Sequence, residues 1–443
     1  MNKIFYIILI ALLVLSAPVA YRNYKMGKTV PGQEFYQHQQ IAASEHNFSL
    51  YGCLLKAADI LRIDIKIVSI ILGVLSCVFL YLFLVKIGLN KKTSVYSLAI
   101  FALSPAFIYI FSTISSEILP LFLIILGAYL LANKKTAYFS IIPFVLAIEN
   151  VFTVLLIIFI LASYFLWKKE KRKGFFIISG LILAYSIFNM FFISSNFFIN
   201  YEHANITLLG QLFSDIGGHY GISIFAAIFA AAGFFSVKKR IYLYPLAAML
   251  FTSFFINYET IIYSNILISC LAGFGIEKIV KKKWKLSMLK EIMTYMLACG
   301  VLLSAISQVN LIALAEPSPA IIKSCDWISN NTNENSVILS KEDISYFIAY
   351  FGKRNVFYNP SLRQSISFPA LENGSKTIFY SRSLNVTENL LKKYSIKYIL
   401  INDAMRKEIW KEPDEGLLFL FTNEEKFSKV YDNESVQIWN YRG

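Results

Sequence analysis

The sequence predicts a polytopic α-helical membrane protein that ends in a small soluble α/β domain outside the membrane. The membrane part rests first on composition. Of 443 residues, 56% are hydrophobic and 16% charged, and from Ile67 to Leu314 one apolar run follows another. A spanning helix needs about 20 mostly apolar residues, and no water-soluble core uses so many such runs in succession. It rests also on charge. The net charge of +14 comes from lysines and arginines grouped between alternate apolar runs, which is the positive-inside pattern and not a nucleic-acid-binding face. The soluble part is announced by a shift after Leu314. Glu316-Pro317-Ser318-Pro319 has the character of a linker, and the residues beyond it are polar enough to fold in water. The expected domains are residues 1–315 in the membrane and 316–443 outside it.

Taken in order, the first apolar run is Ile4–Ala20. It follows Lys3 and ends in small residues, so it reads either as a retained helix or as a signal peptide, and both leave the next segment outside. Residues 54–62 are amphipathic, with charges at Lys56, Asp59 and Arg62, in the manner of a helix lying at the interface. The further expected spans are Ile67–Val85, Ser94–Phe111, Ile118–Ala132, Ala137–Ile148, Val151–Trp167, Phe175–Ile193, Ile222–Ser236, Ile241–Ile256, Thr260–Ile276 and Glu291–Leu314. With the first run that makes about eleven. After the linker, short β-rich runs lie at Ser336–Ser340, Asn355–Tyr358, Thr377–Tyr380 and Lys397–Ile401. A helical pattern covers Val386–Tyr394, and Phe427–Tyr431 with Val436–Trp439 forms a terminal hairpin.

The basic clusters fix the sides. Lys91-Lys92, Lys134-Lys135, Lys171-Arg172-Lys173, Lys238-Lys239-Arg240 and Lys281-Lys282-Lys283 all fall on one side, which becomes the cytoplasm, with the N-terminus. The other side receives Glu34, Glu117, Glu149, Glu202, Asp215, Glu259, the C-terminal domain and all 4 histidines. The N-x-S/T sequons at Asn47, Asn205, Asn330, Asn373, Asn385 and Asn433 also fall there. None of the 5 cysteines has metal-ligand spacing, and a disulfide is chemically allowed only between Cys53 and Cys325, which share the outer side.

Polar chemistry beside the membrane is then expected in the outer loops. In Pro31-Gly32-Gln33-Glu34-Phe35-Tyr36-Gln37-His38, a helix starting near Pro31 puts Glu34 and His38 one turn apart on one face. Glu34 is the only acidic residue between Tyr21 and Ser44. Arg22, Lys25 and Lys28 lie close by in sequence, either as cations for a phosphate or as side chains snorkelling to the interface. The second candidate is Ser112-Thr113-Ile114-Ser115-Ser116-Glu117, a short outer turn. Its Glu117 heads the next helix, where the helix dipole favours an anion. Glu202, His203, Asp215 and His219 share the loop Ser194–Gly221 but match no compact metal motif, so they read as solvated.

These two loops, followed by many helices and an outer C-terminal domain, resemble the GT-C glycosyltransferases. That superfamily of integral membrane enzymes includes oligosaccharyltransferases, protein mannosyltransferases and aminoarabinose transferases. Residues 31–38 are similar to its first-loop acidic motif and residues 113–117 to its second, while Asp326-Trp327-Ile328-Ser329-Asn330-Asn331-Thr332 looks like the start of the soluble domain in microbial members. The resemblance implies a polyprenyl-phosphate-linked sugar donor, an acceptor of unspecified kind, and Glu34 and Glu117 as catalytic carboxylates, with a divalent metal (Mg or Mn) as an optional cofactor. It implies substrate contacts at His38, Tyr36, Arg22 and Lys28, and at Tyr258 and Glu259 upstream of Leu271-Ala272-Gly273. The chain departs from the pattern in lacking an Asp-x-Asp pair, a Trp-Trp-Asp motif and an arginine before that Leu-Ala-Gly. A non-catalytic protein that binds a lipid carrier, or assists a glycosylation complex, is the alternative. A transporter is disfavoured, because no apolar run carries a mid-span charge.

Overall fold

The computed structural model describes residues 2–43, 50–133, 137–147, parts of 153–162 with residue 180, 212–216, 221–235, 261–357, 368–412, 414–433 and 435–443. In the N-terminal part the helices are α1 (Asn2–Lys25), α2 (Glu34–Ala43), α3 (Leu50–Ile60), α4 (Ile65–Lys86), α5 (Lys91–Ala102) and α6 (Pro105–Thr113). They continue with α7 (Ile118–Ala132), α8 (Ile141–Leu146), α9 (Ile224–Phe234), α10 (Ile261–Lys281) and α11 (Ser287–Ala313). The chain divides into two units, one of Met1–Lys25 with Phe48–Leu314 and one of Met26–Asn47 with Ala315–Gly443.

In the first unit α4, α10 and α11 are long and apolar enough to cross a membrane, and α5 with α6 makes a fourth if that pair, bent by 55°, is one span. The expected span Ser94–Phe111 is thus two helices that meet at a bend. The break is local chemistry. Pro105 is the first residue of α6 and has no N–H to give, while the Ser104 hydroxyl caps α6 by accepting from Phe107 N–H at 3.3 Å. The expected span Ala137–Ile148 is a 3₁₀ turn, Ala137–Ser140, leading into α8. Val151–Trp167 for the most part, Phe175–Ile193 and Ile241–Ile256 lie outside the described residues, which therefore hold fewer spans than the eleven or so expected.

Small residues bring these helices together. A β-carbon on Gly275 of α10 would stand 1.8 Å from the Phe229 carbonyl oxygen of α9, and one on Gly233 of α9 would stand 1.8 Å from that of Leu271. On the other side of α10, a β-carbon on Gly273 would meet Ser97 Oγ of α5 at 2.0 Å. In lipid, where burying leucine against leucine gains little, this close backbone approach is what holds helices together. Helix α1 packs inward through Ala11 and Leu15, both fully buried, with Leu15 filling the space over Gly73 of α4.

The second unit is an α/β unit built on one five-stranded sheet. Its elements are α12 (Pro319–Asn331), β1 (Val337–Leu339), α13 (Glu342–Phe347), β2 (Asn355–Val356), α14 (Phe368–Tyr380), α15 (Leu384–Lys393), β3 (Ile396–Asn402), α16 (Asp403–Ile409), α17 (Leu417–Leu420), β4 (Phe427–Asn433) and β5 (Val436–Tyr441). Strand order is β2-β1-β3-β5-β4, parallel across β2, β1 and β3 and antiparallel beyond. Strand β3 is central, and Ile399, Leu400 and Ile401 are fully buried, so it carries apolar side chains on both faces. The expected strand at Thr377–Tyr380 is corrected: it is the last turn of α14, whose Ile378 and Phe379 face the core. All five cysteines are free, and burial pushes the Cys325 thiol up to about 12.

Residues 26–47 join this unit through main chain and aromatic rings. Gly32 takes a positive φ of 84°, which a side chain would resist, and its N–H donates to the Glu316 carbonyl at 2.7 Å. Tyr36 is 1% exposed, and its ring lies 5.2 Å from that of Phe347, 4.9 Å from Tyr350 and 5.3 Å from Phe351. Its hydroxyl donates to the Val30 carbonyl at 3.1 Å and accepts from Val30 N–H at 3.2 Å. Truncating a buried aromatic of this kind costs about 3 to 5 kcal/mol. We therefore expect Tyr36→Ala to make residues 26–47 sensitive to limited proteolysis in the full-length protein, with Tyr36→Phe close to wild type. Equal protease resistance in all three forms contradicts the anchoring role.

Candidate functional site

The Ser112–Glu117 turn joins α6 to α7 inside the first unit and is held by residues of α3, α4 and α10. Helix α6 ends at Ile114, whose φ of 57° and ψ of 52° put a β-branched residue in the left-handed region. That conformation costs on the order of 1 to 3 kcal/mol and is found where a structure has reason to hold it. Here it is held from outside the turn. The Tyr51 hydroxyl of α3 donates to the Ile114 carbonyl, and the Ser69 hydroxyl of α4 donates to the Phe111 carbonyl at 2.5 Å. Ser112, Thr113 and Ser115 are all buried, and the Ser112 hydroxyl has no hydrogen-bond partner among the described residues.

Glu117 closes the turn and caps α7. It is 8% exposed, its N–H donates to Ser115 Oγ at 3.3 Å, and its carbonyl accepts from Leu121 N–H at 3.0 Å in the first turn of α7. Its carboxylate oxygen Oε2 accepts from the hydroxyl of Tyr263, which α10 supplies from its first turn. Two residues on, Asn265 donates to Ser104 Oγ, tying α10 to the α5–α6 break. The sequence had pointed to Glu117 but not to Tyr263, Asn265 or Tyr51; the readable signal was Tyr263-Ser264-Asn265, three polar residues together in an apolar run.

Tyr263 also lines a cavity of about 320 Å³. Its walls are hydrocarbon, with Leu84 of α4, Ile125 of α7 and Leu267, Leu271 and Phe274 of α10 among them. From Tyr263 to Phe274 the helix runs about 16 Å, at ~1.5 Å per residue. Such an apolar cavity suits a hydrocarbon chain better than an ion.

The other expected site residues are placed as follows. Glu34 is the first residue of α2, in the second unit, and is partly exposed. His38 follows it one turn later in the same helix, as its spacing predicted, but its side chain lies outside the described residues, as do Tyr258 and Glu259 altogether. Tyr36 is committed to packing, as described above, and Lys28 is exposed. Arg22 is 1% exposed, and its Nη1 donates to the Ala313 carbonyl at 3.2 Å, at the C-terminal end of α11, where the helix dipole favours a cation. Asp215 accepts from Ile224 N–H at 2.7 Å and so serves the N-terminus of α9. Among the described residues no three His, Cys, Asp or Glu side chains converge, so the divalent metal (Mg or Mn) has no ligand set there, and Glu117 is joined by a tyrosine instead.

Solved structures share this architecture. The Archaeoglobus fulgidus oligosaccharyltransferase tethered with an acceptor peptide superimposes with a TM-score of 0.61, covering 100% of this chain and 74% of its own at 12% identity. ArnT from Cupriavidus metallidurans bound to undecaprenyl phosphate gives 0.56, with 98% of this chain and 97% of its own covered at 9% identity. The fold is that of the GT-C glycosyltransferases. The arabinofuranosyltransferase AftD from Mycobacteria matches 100% of this chain and 40% of its own with a TM-score of 0.52 at 13% identity. No protein-family model and no curated protein matches the chain in sequence. The described residues divide into a helical unit and a unit that carries the sheet.

Proposed function

We propose that this GT-C protein is a membrane glycosyltransferase that moves a sugar from a polyprenyl-phosphate-linked donor to an acceptor on the extracytoplasmic face. One observation carries the reading: Tyr263, which lines a hydrocarbon-walled cavity of about 320 Å³, donates its hydroxyl to the buried carboxylate of Glu117. A donor with a long apolar tail and a reactive polar head has that same division. The solved neighbours include proteins whose complexes hold dolichol-phosphate or undecaprenyl phosphate.

In the reaction the acceptor oxygen forms a bond to the anomeric carbon, the bond from that carbon to the phosphate oxygen breaks, and the phosphate leaves with the electron pair. The acceptor's proton goes to a carboxylate acting as general base. Glu117 is the buried carboxylate of the first unit proposed for this role, and Glu34 is a separate candidate on α2. The Ser112 hydroxyl is a donor available to a ligand oxygen at the same turn. Arg22 and Tyr36 are given to the fold, so the cations for the leaving phosphate are sought at Lys25 and Lys28, both exposed.

The reading requires the C-terminal unit outside. In a background with Cys53 and Cys299 replaced by serine, a membrane-impermeant thiol reagent added to intact cells is expected to label Ser381→Cys and to leave Ser287→Cys unlabelled. The reverse pattern overturns the topology and the proposed face of transfer together.

A further inference from the structure

The C-terminal unit carries a second feature that the transfer site does not use. A cleft of about 410 Å³ opens where α16 ends, within the ~300 to 1,000 Å³ usual for small-molecule sites. Its apolar wall is aromatic. Trp410 is 3% exposed and is fixed by its indole N–H, which donates to the Phe379 carbonyl at 2.9 Å. Phe421 and Trp439 stack with centroids 4.2 Å apart and planes within 6°. Facing these rings are three cations: Arg406 and Lys407 in the last turn of α16, and Lys411 just beyond it. Lys407 and Lys411 are exposed, and among the described residues neither forms a salt bridge. Glu412 is the acidic residue on the rim.

The cleft has a neighbour. Arg406 also borders a depression of about 520 Å³ with Asp403, Asp432, Asn433, Ser435 and Gln437. The ridge between the two is the hydrogen bond from the Arg406 guanidinium to Gln437 Oε1, and Gln437 in turn donates from Nε2 to Asp432 Oδ2 at 3.3 Å. One side of the ridge is therefore lined by aromatic and basic side chains. The other is a set of carboxylate, amide and hydroxyl groups. Planar side chains of this kind suit paired hydroxyls, aromatic walls suit the C–H faces of a sugar ring, and the lysines suit a carboxylate or phosphate. A simple anion would not use the rings, and an apolar ligand would leave the polar groups and the cations uncompensated.

We propose that this surface binds an anionic saccharide, its acidic group against Arg406, Lys407 and Lys411 and its hydroxyls across the Arg406–Gln437 ridge. The inference stands on the C-terminal unit's own residues and is independent of transfer chemistry at Glu117. The test uses the full-length protein in detergent and titrates it with oligogalacturonate, with a glucuronate oligosaccharide and with a phosphorylated mannan oligosaccharide, following tryptophan fluorescence and calorimetry. A neutral maltooligosaccharide of equal length is the control. At least one acidic oligosaccharide is expected to bind roughly tenfold or more tightly than the neutral one, a difference of about 1.4 kcal/mol. The double variant Lys407→Gln/Lys411→Gln is expected to lose that preference, while Lys392→Gln/Lys393→Gln, which removes two charges elsewhere in the unit, keeps it. Binding of none of the acidic probes, equal binding of the neutral one, or equal loss in both double variants overturns the proposal.

Discussion

Replacing Glu117 by glutamine is expected to leave the protein folded and present in the membrane while lowering transfer from polyprenyl-linked donors by roughly 10²- to 10⁴-fold, about 3 to 5 kcal/mol of barrier. Glutamine keeps an oxygen that accepts from Tyr263 and has nearly the same shape, so the cap on α7 and its buried surroundings survive. What it loses is the ability to take a proton. Tyr263→Phe tests the orientation separately. A hydrogen bond to a charged group contributes about 1.5 to 3 kcal/mol, so a loss of about tenfold or more is expected, with the fall in the rate and not in donor affinity. Glu34→Gln, measured at equal membrane abundance, asks whether the outer-loop carboxylate shares the work. Wild-type activity that survives both glutamate substitutions refutes the site. Absence of activity from the wild type with every donor favours a carrier-binding protein of the same fold.

How much of this was legible in the sequence depends on the range of the interaction. The apolar runs at α4, α7, α10 and α11 and the terminal hairpin β4–β5 were readable within a residue or a few, because period, length and composition are local. The α5–α6 break carried its own mark in Ser104-Pro105 and was still read through, since the whole run has the length of one span. Thr377–Tyr380 failed for the opposite reason: a threonine, an isoleucine and two aromatics have strand propensity, but they close a longer amphipathic pattern that packs as helix. Glu117 stood out as a charge in an otherwise uncharged turn. Its partner Tyr263 is 146 positions away, and nothing local marks such a pairing. The grouping of residues 26–47 with the C-terminal unit was equally hidden, because Gly32 and Glu316 lie on either side of nearly all the apolar runs.

The position of Tyr263 depends in turn on two glycines, and their loss is expected to be the most damaging to the fold. At Gly275 a β-carbon would lie 1.8 Å from the Phe229 carbonyl oxygen and 2.9 Å from the backbone nitrogen of Gly233, and a β-carbon at Gly233 meets Leu271 and Gly275 in the same way. These obstacles are backbone atoms of the facing helix, which cannot rotate aside as a side-chain end does. A leucine at Gly275 must therefore push α9 and α10 apart, at a cost of about 3 kcal/mol, the upper part of the usual range for overpacking. Loss of the close backbone contact, which lipid does not replace, adds to that. Gly275→Leu is accordingly expected to lower the unfolding midpoint in detergent and the yield from membranes, and Gly233→Leu to do the same. Gly88, with no described atom within 4 Å of its would-be β-carbon and lying outside α9 and α10, is the control, and Gly88→Asn, which suits its positive φ of 93°, is expected to behave as wild type. Because α10 carries Tyr263 on the same rigid helix, Gly275→Ala, the milder change, is expected to reduce transfer more than it reduces stability. Wild-type stability in Gly275→Leu would mean that α9 and α10 do not meet through these glycines.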